Sequence, residues 1–298
     1  MMRYHHAMGM SVFSPKLPLS SSSSSSIHSS SLLDVLNREW MLPSPSTHIH
    51  KVSLKKEPGS GFFSCSNDPN PNLLLLLHGR GGGGGEAGPG FFYVVRDDLL
   101  HPLVNGNKSR KLDALLPILQ RHSATHTVSC GGCQSAHAAA LAVSCAERGI
   151  KAHLLLRGEQ PEIPTGYNLV SLMYGNVTYV PRSIYAQREQ MLHKHAIEVA
   201  AGDGCVVRVD DILGSTSEAR AEESSRKVVI VSEGAGDVVG LLGVVRLVRY
   251  LSQAHVFGKD QQINIVVDAG TGTTAIGLAL GALYLGHASV ESNCSNAC

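Results

Sequence analysis

Two lysines three positions apart, Lys108 and Lys111, stand in the stretch NGNKSRKLDALLP at residues 105–117. Gly106 admits backbone angles that other residues avoid, and Asn107 suits the cap of a helix N-terminus. Leu112, Leu115, Leu116 and Leu119 recur at helical spacing, which predicts a helix over 109–121 with Lys108 at its first turn. A helix dipole favours anions at that end and cations at the other. Lys108 is therefore either a solvated surface charge or a group that meets a ligand wanting both a helix N-terminus and an amine. A phosphate ester that also carries an aldehyde is such a ligand.

Three junctions between an apolar run and a helical pattern are small and polar: SCGGCQSAH at 129–137, VSEGAGD at 231–237 and DAGTGTTAIG at 268–277. The last is the best anion cradle. Gly270, Thr271, Gly272, Thr273 and Thr274 combine close backbone approach, hydroxyl donors and the start of an apolar helix. Its spacing is not GxGxxG and it has no lysine, so a tight strand-to-helix turn is the alternative. In the first junction, Cys130 and Cys133 lack a second ligand pair for zinc, and no aromatic or proline marks a redox motif; no metal site is expected. Ser135 belongs at the helix edge with its hydroxyl toward the cleft, or is a plain cap.

These loops need elements to hold them. Apolar runs at HTVSC, AHLLLR, VTYVP, CVVRV, KVVIVS and INIVVDA alternate with helical patterns over 109–121, 135–148, 167–174, 184–201, 238–253 and 273–285, after an opening strand FFYVV. Short apolar strands alternating with helices of this length predict an α/β fold whose parallel sheet is covered on both faces. Ligands in such sheets bind at the carboxyl ends of the strands.

The 298 residues carry a net charge of +1, which gives no electrostatic footprint for nucleic acid or an anionic membrane surface. No run of 18 apolar residues suggests a membrane span. Seven scattered cysteines read as a reduced, intracellular chain. Residues 1–45 hold seven consecutive serines, Ser20 to Ser26, and no acidic residue before Asp34. That composition predicts a disordered transit peptide, for the mitochondrion or alternatively the plastid. Residues 46–90, Gly- and Pro-rich with the run Gly81 to Gly85, read as a flexible lead-in rather than a phosphate loop, since the run has no lysine and no helical pattern after it.

Six stretches in order, from YVVRDDLLHPLVNGNKSRKLDALLP through SCGGCQSAHAAALAVSCAERG, LLLRGEQP, YGNVTYVPRS and SEGAGDVVGLLGVVRLV to VVDAGTGTTAIGLALG, resemble the plant D-cysteine desulfhydrases and the related 1-aminocyclopropane-1-carboxylate deaminases. The resemblance implies pyridoxal 5′-phosphate as cofactor and the tryptophan-synthase β-like fold, with open twisted sheets in two subdomains. It makes Lys108 the lysine that holds the cofactor aldehyde and moves the substrate α-proton. Lys111 matches a residue reaching the cofactor phosphate, Gly270 to Thr274 match the phosphate loop, and Ser135 matches a serine beside the substrate. The deaminases have asparagine where this chain has Ala136, so Asn107 or His137 is expected to meet the cofactor hydroxyl. The implied reaction is conversion of D-cysteine to pyruvate, hydrogen sulfide and ammonia. The alternatives are ring-opening deamination of the cyclopropane amino acid and a shortened, non-catalytic product. A homodimer acting on a small amino acid is the expected assembly. Compared with the family, the ending HASVESNCSNAC after Gly286 implies a catalytic domain over 91–298 that lacks its C-terminal portion.

Overall fold

The computed structural model describes residues 36–56, 63–68, 91–104, 106–214, 226–257 and 264–285. Residues 1–35 of the expected leader over 1–45, the Gly81–Gly85 run and the ending after Leu285 lie outside them. The fold is α/β. Its centre is a five-stranded parallel sheet in the order β6-β5-β4-β8-β7, formed by β4 (His126–Gly132), β5 (Lys151–Arg157), β6 (Asn176–Val180), β7 (Cys205–Arg208) and β8 (Lys227–Ile230). The strands are continuously apolar because both faces are covered. Leu154, Leu156, Val229 and Val231 enter one core with α1 (Asn107–Arg121) and α2 (Ala136–Ala146). Their neighbours Leu155, Val228 and Ile230 point the other way, into a second core with Tyr185 of α4 (Arg182–Tyr185) and Leu192 and Ala196 of α5 (Arg188–Ala200). The period-2 pleat thus divides one apolar run between two cores. The remaining helices are α3 (Gly166–Tyr174), α6 (Val209–Gly214), α7 (Val238–Leu251), α8 (Ala254–Phe257) and α9 (Thr273–Tyr284).

The structure departs from the sequence reading at five places. FFYVV is a strand, β3 (Phe91–Val95), but it pairs antiparallel with β1 (Ile49–Lys56), which also pairs with β2 (Phe63–Asp68), in a separate three-stranded sheet. The expected flexible lead-in over 46–90 therefore contains two strands; ladder hydrogen bonds order a polar sequence that composition alone marks as loop. Residues 36–45, assigned to the disordered leader, are packed: Leu36 is buried, and Trp40 and Met41 rest on the main core. The helix expected over 184–201 is broken at Gln187, whose φ of −101° and ψ of 50° are not helical. Residues 264–269 of the expected strand INIVVDA form no regular element, and Val266 is 89% exposed. Without a ladder partner among the described residues, an apolar run has nothing to make it a strand.

Two details tie the early segment to α1. Pro117 sits inside α1 and has no N–H to offer the carbonyl of Asp113. That carbonyl instead accepts the amide of Met41 at 2.7 Å. The Asp113 carboxylate, fully buried, accepts Leu42 N at 2.8 Å and Arg246 Nη1 of α7 at 2.8 Å. Close by, Arg110 is 1% exposed and makes two bonds to Asp97, at 2.8 and 3.1 Å, and one to the carbonyl of Pro45.

Candidate active site

Three helix N-termini meet at one cavity of about 200 Å3. The first is that of α1. Its N-cap is Gly106, at φ 58° and ψ −138°, with no side-chain cap. That conformation favours glycine strongly. Asn107 is consequently not the cap but the first helical residue, which frees its amide group to bridge. Its Nδ2 donates to Thr274 Oγ1 at 2.8 Å, and its Oδ1 accepts from Lys108 Nζ at 2.9 Å. One turn on, Lys111 is buried and donates to the Gly234 carbonyl at 2.9 Å.

The second N-terminus is that of α2. Ser135 caps it, with its Oγ accepting from Ala138 N at 3.2 Å, and lines the cavity. Gly131 must stay glycine, because a Cβ there would overlap the Ser135 side chain. The third is that of α9, capped by Gly272 at φ 81°, with Gly270, Thr271, Gly272 and Thr274 on the cavity wall. Thr273 is buried behind them, its hydroxyl 3.2 Å from that of Thr271. The structure thus brings every site residue predicted from sequence to this cavity or directly against it.

Positive charge is concentrated at the helix starts, although the carboxylates of Glu233 and Asp268 share the cavity wall. None of the three helices has an acidic residue in its first turn. Their dipoles add to two amines, and the sum favours an anion. Burial holds Lys108 below the ordinary lysine pKa, and burial followed by the charge of Lys108 brings Lys111 down to about 8. His137, 2% exposed, is pushed down to about 3 by burial and then by the two lysine charges, so it is neutral. Its Nε2 contacts Ser129 Oγ at 3.0 Å, while its Nδ1 is buried with no partner. A phosphate-bearing aldehyde suits this donor set: an amine with a lowered pKa, a second amine, a Gly-Thr loop at a helix start and a ring nitrogen awaiting a partner.

Sequence reasoning missed Glu233 and Asp268, which also line the cavity. Glu233 accepts the Tyr185 hydroxyl at 2.5 Å and pairs with Arg188 at 3.4 Å. Burial and the carboxylate both raise the Tyr185 pKa, so the phenol keeps its proton and donates it. The loop EGAGD was visible in the sequence, but its partner Tyr185 is 48 residues away and no local signal joins them. Cys130 is buried, and burial raises its thiol to about 11, which leaves it no nucleophile at neutral pH.

No family model matches the chain. Over 259 residues it is 55% identical to a protein of Oryza sativa subsp. japonica provisionally named D-cysteine desulfhydrase 2, mitochondrial, an alignment covering 83% of this chain and 62% of that protein. A Thermotoga maritima protein provisionally named 1-aminocyclopropane-1-carboxylate deaminase is 30% identical over 194 residues, covering 65% of this chain and 54% of the relative. The crystal structure of an ACC deaminase homologue aligns at a TM-score of 0.49 and 26% identity, covering 65% of this chain and 52% of that one. The chain spans less than two thirds of the length of these relatives.

Proposed function

The chain belongs to the family of D-cysteine desulfhydrases and 1-aminocyclopropane-1-carboxylate deaminases, and we propose that it is a mitochondrial pyridoxal 5′-phosphate-dependent lyase that converts D-cysteine to pyruvate, hydrogen sulfide and ammonia. The observation that carries this reading is the meeting of Lys108, Ser135 and the Gly270–Thr274 loop at one cavity, from positions up to 166 residues apart in the chain. When bound, the cofactor supplies an aldehyde for the amines and a ring that accepts electron density from the substrate α-carbon.

The chain's own residues do the rest. Thr271, Thr274 and the amides at the start of α9 hold the phosphate, with Lys111 adding positive charge and Asn107 tying the loop to α1. Lys108 Nζ, desolvated and directed by Asn107 Oδ1, would hold the aldehyde group and serve as the base for the substrate α-proton. The Ser135 hydroxyl and the amides at the start of α2 receive the substrate carboxylate. Loss of the α-proton expels thiolate from Cβ, and water then hydrolyses the resulting enamine to pyruvate and ammonia. His137 Nδ1, buried without a partner, would be the group to meet the cofactor hydroxyl, a role that Ala136 cannot serve.

Expression of the full chain with added pyridoxal 5′-phosphate tests this. Borohydride treatment should fix the cofactor on the peptide containing Lys108, and Lys108→Ala should abolish both that adduct and sulfide release from D-cysteine. Sulfide from L-cysteine instead, or ammonia from the cyclopropane amino acid without sulfide from D-cysteine, overturns the substrate assignment. Absence of any adduct overturns the cofactor.

A further inference from the structure

A second cavity, of about 260 Å3, shares no lining residue with the first. It lies between the segment 36–45 and the C-terminal half of α7, and its walls include Arg38, Trp40, Arg246, Arg249 and Tyr250. Among the described residues, no acidic residue lines it. Of its three arginines, Arg246 is satisfied: it pairs with Asp113 at 2.8 Å, donates to the Leu42 carbonyl at 2.9 Å and lies over the Trp40 ring at 4.7 Å. Arg38 and Arg249 have no hydrogen bond and no carboxylate among the described residues. Arg38 Nε is buried with no acceptor. Burial, and then the neighbouring charge of Arg121, lower the Arg38 pKa, so the described surroundings add positive charge.

The position of Arg249 in the last turn of α7 has a local explanation, since cations complement a helix C-terminus. Arg38 has none. A buried guanidinium N–H without an acceptor is costly, and folded proteins keep such donors satisfied. The planar fork of arginine matches carboxylate and phosphate oxygens, and two unanswered forks beside one cavity match two negative charges. The volume is below that of pockets for drug-sized ligands, which limits the occupant to a small metabolite. We propose that this cavity binds a small organic dianion, a phosphate monoester or a dicarboxylate, between Arg38 and Arg249. The proposal does not depend on the chemistry at Lys108.

Trp40 is the single tryptophan of the chain and lines this cavity, so intrinsic fluorescence reports on it directly. Inorganic phosphate and succinate are titrated separately into the full chain at ionic strength held constant with sodium chloride. A saturable change in Trp40 emission is expected with at least one of them; phosphate alone identifies a phosphate ligand and succinate alone a dicarboxylate. Arg38→Gln and the exposed-site change Arg249→Glu should each raise the half-saturating concentration about tenfold or more, the loss expected for a charge-assisted contact. Lys111→Ala, in the other cavity, should leave it within about twofold, since Lys111 lines none of this one. No saturable change with either anion, or the same response in the Arg249→Glu chain, overturns the site.

Discussion

Lys108 and Lys111 are three residues apart on one helix, yet their surroundings prepare them for different work. Lys108 is only partly buried, beside a single acceptor on the preceding residue, and burial lowers its pKa. An amine that sheds its proton readily can bond carbon and later accept a proton back. Lys111 is buried behind it, anchored on the Gly234 carbonyl, with a pKa of about 8. Below pH 8 it is charged and attracts a phosphate; above that it is neutral. Cofactor affinity should therefore fall as pH rises through about 8, measured by fluorescence or equilibrium dialysis, and Lys111→Met should bind more weakly but without that pH step. His137 predicts a second titration. Its folded pKa of about 3 lies below its ordinary 6.5, so the unfolded chain binds the proton first as pH drops. The contribution of His137 to stability is complete above pH 6.5 and declines as pH falls toward 3. Replacing His137 by Gln should reduce the slope of unfolding free energy against pH in that window by about one proton.

At the scale of elements, α1 is the beam to which both ends of the argument are attached. Its N-terminus carries the lysines, and its middle, opened by Pro117, receives Met41 and Leu42 from the early segment and Arg246 from α7. Asp113→Ala would strand the Arg246 guanidinium and the Leu42 amide together. Loss of one partner of a buried ion pair costs about 3–5 kcal/mol, so the urea midpoint should drop sharply, while Asp113→Asn should lose less because its amide oxygen can still accept one of the two bonds. Gly243 of α7 lies so close to α1 that a Cβ would overlap the Arg110 carbonyl. Gly243→Ala should therefore force the helices apart at a cost of about 1–3 kcal/mol, read by the same denaturation. These contacts mark the limit of what the sequence discloses. The alternation of LLL-type strands with amphipathic helices is legible because each element's period is local. The Asp113 carbonyl freed by Pro117 was readable in principle, but that Met41 would fill it was not, because the partner is 72 residues away. The polar strand β1 escaped for the same reason: KVSLKK acquires its structure from β2 and β3, not from its own pattern. The lysines, Ser135 and the Gly-Thr loop were recognisable by type and place, whereas Glu233 needed Tyr185 and Arg188 to give it a fixed position.

At the scale of the molecule, the site belongs to no single element. The cavity forms only where the loops after β4 and β8 and the starts of α1 and α9 come together, so a ligand there contacts parts that unfold together. The packing behind the cavity is equally shared. Gly277 and Gly281 of α9 approach Val244 and Val248 of α7, and α7 in turn approaches α1 at Gly243. Anything that binds only the assembled cavity must raise the free energy of unfolding by mass action, by about 2.7 kcal/mol at a ligand concentration of 100 Kd. Pyridoxal 5′-phosphate should accordingly raise the thermal midpoint of the full chain in proportion to the logarithm of its concentration. Pyridoxal without the phosphate should do so much less, because the helix N-termini and Lys111 then have no anion to hold. Gly272→Val separates this effect from generic stabilisation. A β-branched residue at φ 81° distorts the start of α9, so the phosphate-dependent part of the shift should vanish even where the variant still unfolds cooperatively. Equal shifts from the two ligands in the unaltered chain would instead place the gain at Lys108 and remove the phosphate role from the Gly270–Thr274 loop.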